Sequence, residues 1–200
     1  MGFDLYGKNP ENPTGLPKPY LNWSENVTEE QKEVYFKELE VYEKAVPGDY
    51  FRANVWCWRP IWNFVAYHCD DILNEEDLER GSYNDGHFIN KAKAKKLYTR
   101  IMSKIKDGTA QRMQERYEKE SVKAKAHNDK IDAKIDELKE RVKKETKKNN
   151  IVPSDYPPPY KEEWNQLYGT RSWGDSYPFN VEYLKEFAEF SRNSGGFEIC

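Results

Sequence analysis

Between Thr109 and Asn149 the chain runs without a single glycine or proline. The stretch is built almost wholly from Lys, Glu, Gln, Asp, Ala and Arg with spaced apolar residues. These side chains lose little freedom in a helix and nothing interrupts it, so one long α-helix is the regular structure it favours. Met113, Tyr117, Ala124, Ile131, Ile135, Leu138 and Val142 follow steps of three and four, with Glu120 and His127 in the gaps and a stutter near 127–135. A coiled-coil-like seam on a helix of roughly 60 Å is therefore expected. The seam needs cover. The expectation is partial packing on the preceding helix and a homodimer through 113–142.

This helix separates two segments of different character. Hydrophobic residues make up 37% of the 200-residue chain and charged residues 34%, so part of it must stay solvated. Six Trp and fourteen Tyr argue against disorder of the whole. The reading is one compact domain made from residues 1–108 and 151–200, with the charged helix 109–150 inserted between them. The fold class is α+β, predominantly α: a compact aromatic-rich domain carrying a long helical, coiled-coil-like hairpin projection.

Residues 1–27 hold Pro10, Pro13, Pro17 and Pro19 with Gly2, Gly7 and Gly15. They are expected to run extended over a surface as a strap or arm, not as a helix or a central strand. Thr28-Glu29-Glu30-Gln31 is a capping box, with Tyr35, Leu39, Tyr42 and Val46 as the stripe of the helix that follows. Tyr50–Trp58 favours extended structure, and Pro60 opens a helix. Asn74 caps a short helix ending at Gly81, a turn covers 83–86, and a helix runs from about Phe88 to Asp107. Asn180 caps a last helix, and residues 197–200 form a short strand.

No basic-then-apolar leader opens the chain, and no apolar run approaches the length of a membrane span, so a cytoplasmic protein without membrane contact is expected. Cys57, Cys69 and Cys200 lack framework spacing, which fits free thiols in a reducing compartment. The net charge of −3 disfavours nucleic acid as partner.

The densest chemistry lies in Tyr50–Tyr67, YFRANVWCWRPIWNFVAY. Trp56, Trp58 and Trp62 can stack on a planar ligand, Arg52 and Arg59 can grip an anion, and Asn54 adds a polar contact. The alternative is that these rings are core. Asn84, Asp85 and His87 in the following turn are the second candidate group, exposing backbone N–H groups and a base with an orienting carboxylate. The alternative there is ordinary turn chemistry. Cys57, His68, Cys69 and His87 lack the spacing of a metal site, and no carboxylate pair stands out as acid and base. No cofactor, metal or catalytic residue is expected.

The opening Met1-Gly2-Phe3-Asp4-Leu5-Tyr6-Gly7, the block Tyr50–Trp62, the turn Gly81–Gly86 and the ending from Tyr177-Pro178-Phe179 to Phe197-Glu198-Ile199-Cys200 resemble a family of uncharacterised tailed-bacteriophage proteins. The resemblance implies expression in the host cytoplasm during infection. Some members of that family look as though they carry paired Cys-x-x-Cys modules before the Tyr-Pro-Phe block. This chain has the charged helix there instead, so no metal role carries over. The expected function is that of a non-enzymatic accessory factor, for counter-defence or host takeover, that sequesters a nucleotide-like ligand at Arg52–Trp62 and Asn84–His87. The alternatives are an inhibitor or assembly factor that binds a host protein through the long helix or N-terminal arm, and a nucleotide-processing enzyme.

Overall fold

The computed structural model describes residues 2–200. It divides into two compact units, one made of residues up to Arg112 with Phe179–Cys200, the other of Met113–Pro178. The fold is α+β and mostly helical, with seven α-helices and a four-stranded antiparallel sheet among the described residues.

The sheet belongs to the first unit and has the order β2-β1-β4-β3, with β1 Gly2–Gly7, β2 Tyr50–Asn54, β3 His87–Asn90 and β4 Gly196–Ile199. The first strand corrects the expectation for residues 1–27, because β1 lies between two neighbours in the sheet. Phe3 and Leu5 alternate with Asp4 and Tyr6, the period of a half-buried strand, and the prolines begin only at Pro10. Gly7 ends the strand where a side chain has no room: a Cβ there would sit 1.9 Å from the Gly48 carbonyl oxygen. The proline-bearing segment beyond it has no regular structure.

Helix α1, Glu29–Ala45, begins with the expected capping box: the Gln31 N–H donates to Thr28 Oγ1 at 3.2 Å and the Thr28 N–H to Gln31 Oε1 at 2.9 Å. Strand β2 is shorter than expected. The Asn54 side chain accepts the Cys57 N–H at 2.9 Å and starts α2, Val55–His68, five residues ahead of Pro60. Helix α3, Glu75–Arg80, starts at Asn74 as expected. Residues expected to open the next helix instead form β3. The Asn90 side chain then accepts the Lys93 N–H at 3.0 Å and caps α4, Lys91–Lys106. In both places an asparagine cap sets the boundary where propensity is ambiguous.

The long helix α5, Thr109–Thr146, begins at the end of this unit. The chain re-enters the unit at α7, Val181–Asn193, capped by Asn180. Helices α2, α4 and α7 cover one face of the sheet. Between the layers Trp58, Phe64, Phe187, Phe190 and Phe197 are essentially inaccessible, each worth roughly 1.5–3 kcal/mol of burial. Phe187 meets Trp58 edge to face at 5.3 Å.

In the second unit Ala124, Asn128, Ile131, Ile135, Leu138 and Val142 of α5 are buried. Asn128, not His127, is the seam residue, and with it the alternation of four and three is unbroken from 124 to 142. The same chain supplies the cover. Tyr156, Ile151, Tyr160, Trp164 and Leu167 pack against Leu138 and Val142. Arg171 then pairs with Asp132, and the Asn128 side chain donates to the Ser172 carbonyl at 2.9 Å while accepting the Ser172 N–H at 2.9 Å. The return path contains only a 3-10 turn at Pro153–Asp155 and the short helix α6, Tyr160–Gly169, so among the described residues α5 has no helical partner of its own length. Residues 151–178 thus group with α5, whereas the expectation placed 151–200 with the compact domain.

Candidate functional site: the aromatic block and the N-terminal arm

The nine candidate residues of the aromatic block and turn divide between core and surface. Trp58 and Trp62 are 0% and 2% exposed and stack on each other with ring centroids 5.4 Å apart. Their indole N–H groups donate inward, Trp58 to the Gly81 carbonyl at 2.8 Å and Trp62 to the Leu78 carbonyl at 3.0 Å. Rings held in this way have no face left for a ligand; they pin α3 and its C-cap Gly81 to α2. Asn54 is occupied as the cap of α2. Arg52 faces outward on β2, its Nε 3.8 Å from Asp4 Oδ1, while Trp56 and Arg59 lie on the exposed side of α2.

The turn residues also have structural partners. Asn84 Nδ2 donates to the Gly2 carbonyl at 3.3 Å, and Asp85 lies 3.0 Å from Arg80. His87 points inward on β3, as Ile89 does, and its Nε2 is 3.0 Å from Asp77 Oδ1. The other Asp77 oxygen takes Lys93 and the Asn74 N–H. Burial alone would raise the Asp77 carboxyl, but hydrogen bonds from Lys93, the Asn74 N–H and His87 outweigh it and hold the group below the ordinary carboxylate value. The group ties α3, β3 and α4 together. Among the described residues, no three His, Cys, Asp or Glu side chains converge as metal ligands would.

A different surface is left open. Of α1 only Tyr42 is buried, and residues 16–23 of the N-terminal segment lie against its stretch Tyr35–Tyr42. Trp23 meets Tyr35 edge to face at 5.8 Å and Phe36 at 6.3 Å, and Lys18 pairs with the mostly buried Asp49 at 2.7 Å. These contacts anchor the arm. Yet Tyr20 is 85% exposed, and Trp23, Val34, Phe36 and Val41 are each more than half exposed. A groove of about 430 Å³ runs between Leu16–Pro19 and the Lys37–Tyr42 stretch of α1. Apolar side chains outnumber what this arm can bury in itself. The signal is present in the sequence: Val34 and Val41 fall off the 35/39/42/46 stripe on one side and Phe36 on the other, so α1 carries apolar residues beyond its buried stripe.

No family model, no curated protein and no solved structure matches the chain. Among the described residues no helix is long and apolar enough to cross a membrane.

Proposed function

We propose that the chain is a non-catalytic accessory factor that docks a partner protein through its N-terminal arm, the segment 8–28 and α1. The observation that carries this reading is the helix itself, one residue of which is buried while Val34, Phe36 and Val41 join Tyr20 and Trp23 at the surface. Val34 and Val41, seven residues apart, share one side of α1, where Val41 lines the groove against Leu16–Pro19, while Phe36 lies with Trp23 on another side. Exposed large apolar side chains gathered on one element mark interaction sites. Rings and branched aliphatics on a helix also supply the anchors that interfaces use. The fit is to an apolar surface ringed by basic side chains, because α1 carries Glu29, Glu30, Glu33, Glu38, Glu40 and Glu43 against three lysines. The bacteriophage resemblance supplies the setting, in which the partner is a host protein and binding it serves host takeover or counter-defence. Trp58 and Trp62, the rings a planar ligand would need, are committed to the core, which favours the arm over a nucleotide pocket.

A photo-crosslinking residue at position 34, followed by mass spectrometry, identifies the partner in infected host cells. Reconstitution with the purified partner then measures affinity. Crosslinking to a second copy of this chain, or a partner whose affinity ignores changes at Tyr20 and Val41, overturns the proposal.

A further inference from the structure

We infer that a second groove, between the end of α1 and α7 beside the outer edge of β2, receives an extended segment of the partner carrying lysine or arginine side chains. The inference rests on the reading of the chain as a protein-binding factor and adds the chemistry of a second contact.

The groove holds about 350 Å³. Phe51 and Phe190 form its floor, their ring centroids 5.8 Å apart, so its base is apolar and rigid. Its walls carry Glu43 from α1 and Glu182, Glu186 and Glu189 from α7. The lysine on the lining, Lys185, lies 3.9 Å from Glu182. Among the described residues no cation lies within ion-pair distance of Glu43, Glu186 or Glu189. Glu182, Glu186 and Glu189 are four and three residues apart on one helix and share a face. Like charges at these spacings repel and destabilise the helix that carries them. A cationic occupant turns that repulsion into attraction, while the aliphatic stem of a lysine or arginine lies on the phenylalanine floor.

The strand edge says why the segment is extended. The Gly7 N–H donates to the Asp49 carbonyl at 2.9 Å, which turns the backbone groups of residues 49, 51 and 53 toward β1. Those of Tyr50 and Arg52 therefore point to the open edge, where Arg52 already accepts the Tyr183 hydroxyl. Tyr50, on the groove lining, remains for a visiting strand. A segment pairing there presents alternate side chains to the carboxylates.

The test uses the full chain and a fluorescein-labelled peptide of alternating lysine and valine, six residues long, followed by anisotropy. Saturable binding at low salt that weakens at 0.5 M salt is expected, as about a Debye length of screening demands. Glu186→Lys with Glu189→Lys should weaken it at least about ten-fold, a change of ~1.4 kcal/mol. Glu189→Gln keeps the test alive if the reversal unfolds α7, and should weaken binding by a smaller factor. A glutamate–valine peptide should not bind. Absence of binding at low salt, or equal affinity for the wild type and folded charge variants, overturns the inference. Tyr20→Ala with Val41→Ser should leave the peptide bound. If those arm changes abolish partner binding while the peptide fails to bind the wild type, the groove is wrong and the arm stands. The reverse pattern leaves the groove and removes the arm.

Discussion

Asp77 Oδ1 lies 3.0 Å from His87 Nε2 with the two side chains only 4% and 9% exposed. With Lys93 on the second oxygen, the carboxylate is a buried charge whose compensation comes from two neighbouring elements. Burial is outweighed by hydrogen bonds from Lys93, the Asn74 N–H and His87, which hold its carboxyl below the ordinary aspartate range. The stabilisation is therefore present above the ordinary carboxylate range and is lost as pH falls through the folded value. Asp77→Asn should cost about 2–4 kcal/mol at pH 7, since breaking a buried pair leaves its partners uncompensated. Urea unfolding at pH 7 and pH 3 checks both points: the gap between wild type and variant should shrink at pH 3.

Gly81 is the contact point of the two core tryptophans with the end of α3. A Cβ at this position would lie 1.8 Å from the Trp62 ring, and that ring is enclosed. Gly81→Ala should destabilise by about 1–3 kcal/mol or more through overpacking. Trp58→Phe leaves the Gly81 carbonyl without its buried donor, at a cost of about 1–3 kcal/mol. Thermal melts of the two variants measure the losses, and a melt unchanged for Gly81→Ala would contradict the packing described.

The helix starts at Thr28, Asn74 and Asn180 were legible because a capping side chain is a local signal with one function. The starts at Asn54 and Asn90 are not legible, because the β-favouring composition of Tyr50–Trp58 and the helical pattern of Phe88–Asp107 run across the two caps. Strand β1 is obscured by its neighbours: the run of prolines from Pro10 marks residues 10–19 as irregular but says nothing of the seven residues before it, which contain none. The seam of α5 is legible as a pattern, but Asn128 is polar and nothing in the local sequence favours it over His127, since its burial depends on the Ser172 backbone it meets. The candidate site was read least well. Ring density identifies Trp58 and Trp62 as important without saying whether their faces point inward. That is decided by the Leu78 and Gly81 carbonyls some twenty residues away.

Asn128 holds the return segment of the second unit by bonds to Ser172 and to Asp175 at 3.2 Å. Asn128→Ala should free the stretch from 170 to 176 and cost about 1–3 kcal/mol. Hydrogen exchange across that stretch should rise well above exchange around Leu138, which keeps its apolar cover. Equal protection in the variant and wild type would contradict this role.

The three thiols should separate by reactivity. Burial pushes Cys69 up to about 12, so it should resist a thiol reagent at pH 8 until the chain is unfolded. Cys57 and Cys200 are partly exposed and should react in the folded protein, although burial raises the Cys200 thiol above its ordinary value. Counting modified thiols before and after denaturant gives two and then three.

The central claim is that the arm of 8–28 and α1 is the docking surface, and the affinity of the crosslinked partner for the Tyr20→Ala, Val41→Ser double variant tests it most directly. Both side chains are mostly exposed, so the variant should keep the wild-type melt. The account predicts affinity at least about 30-fold weaker, the loss of roughly 2 kcal/mol expected of a truncated interface anchor. An unchanged affinity in a folded variant would contradict it.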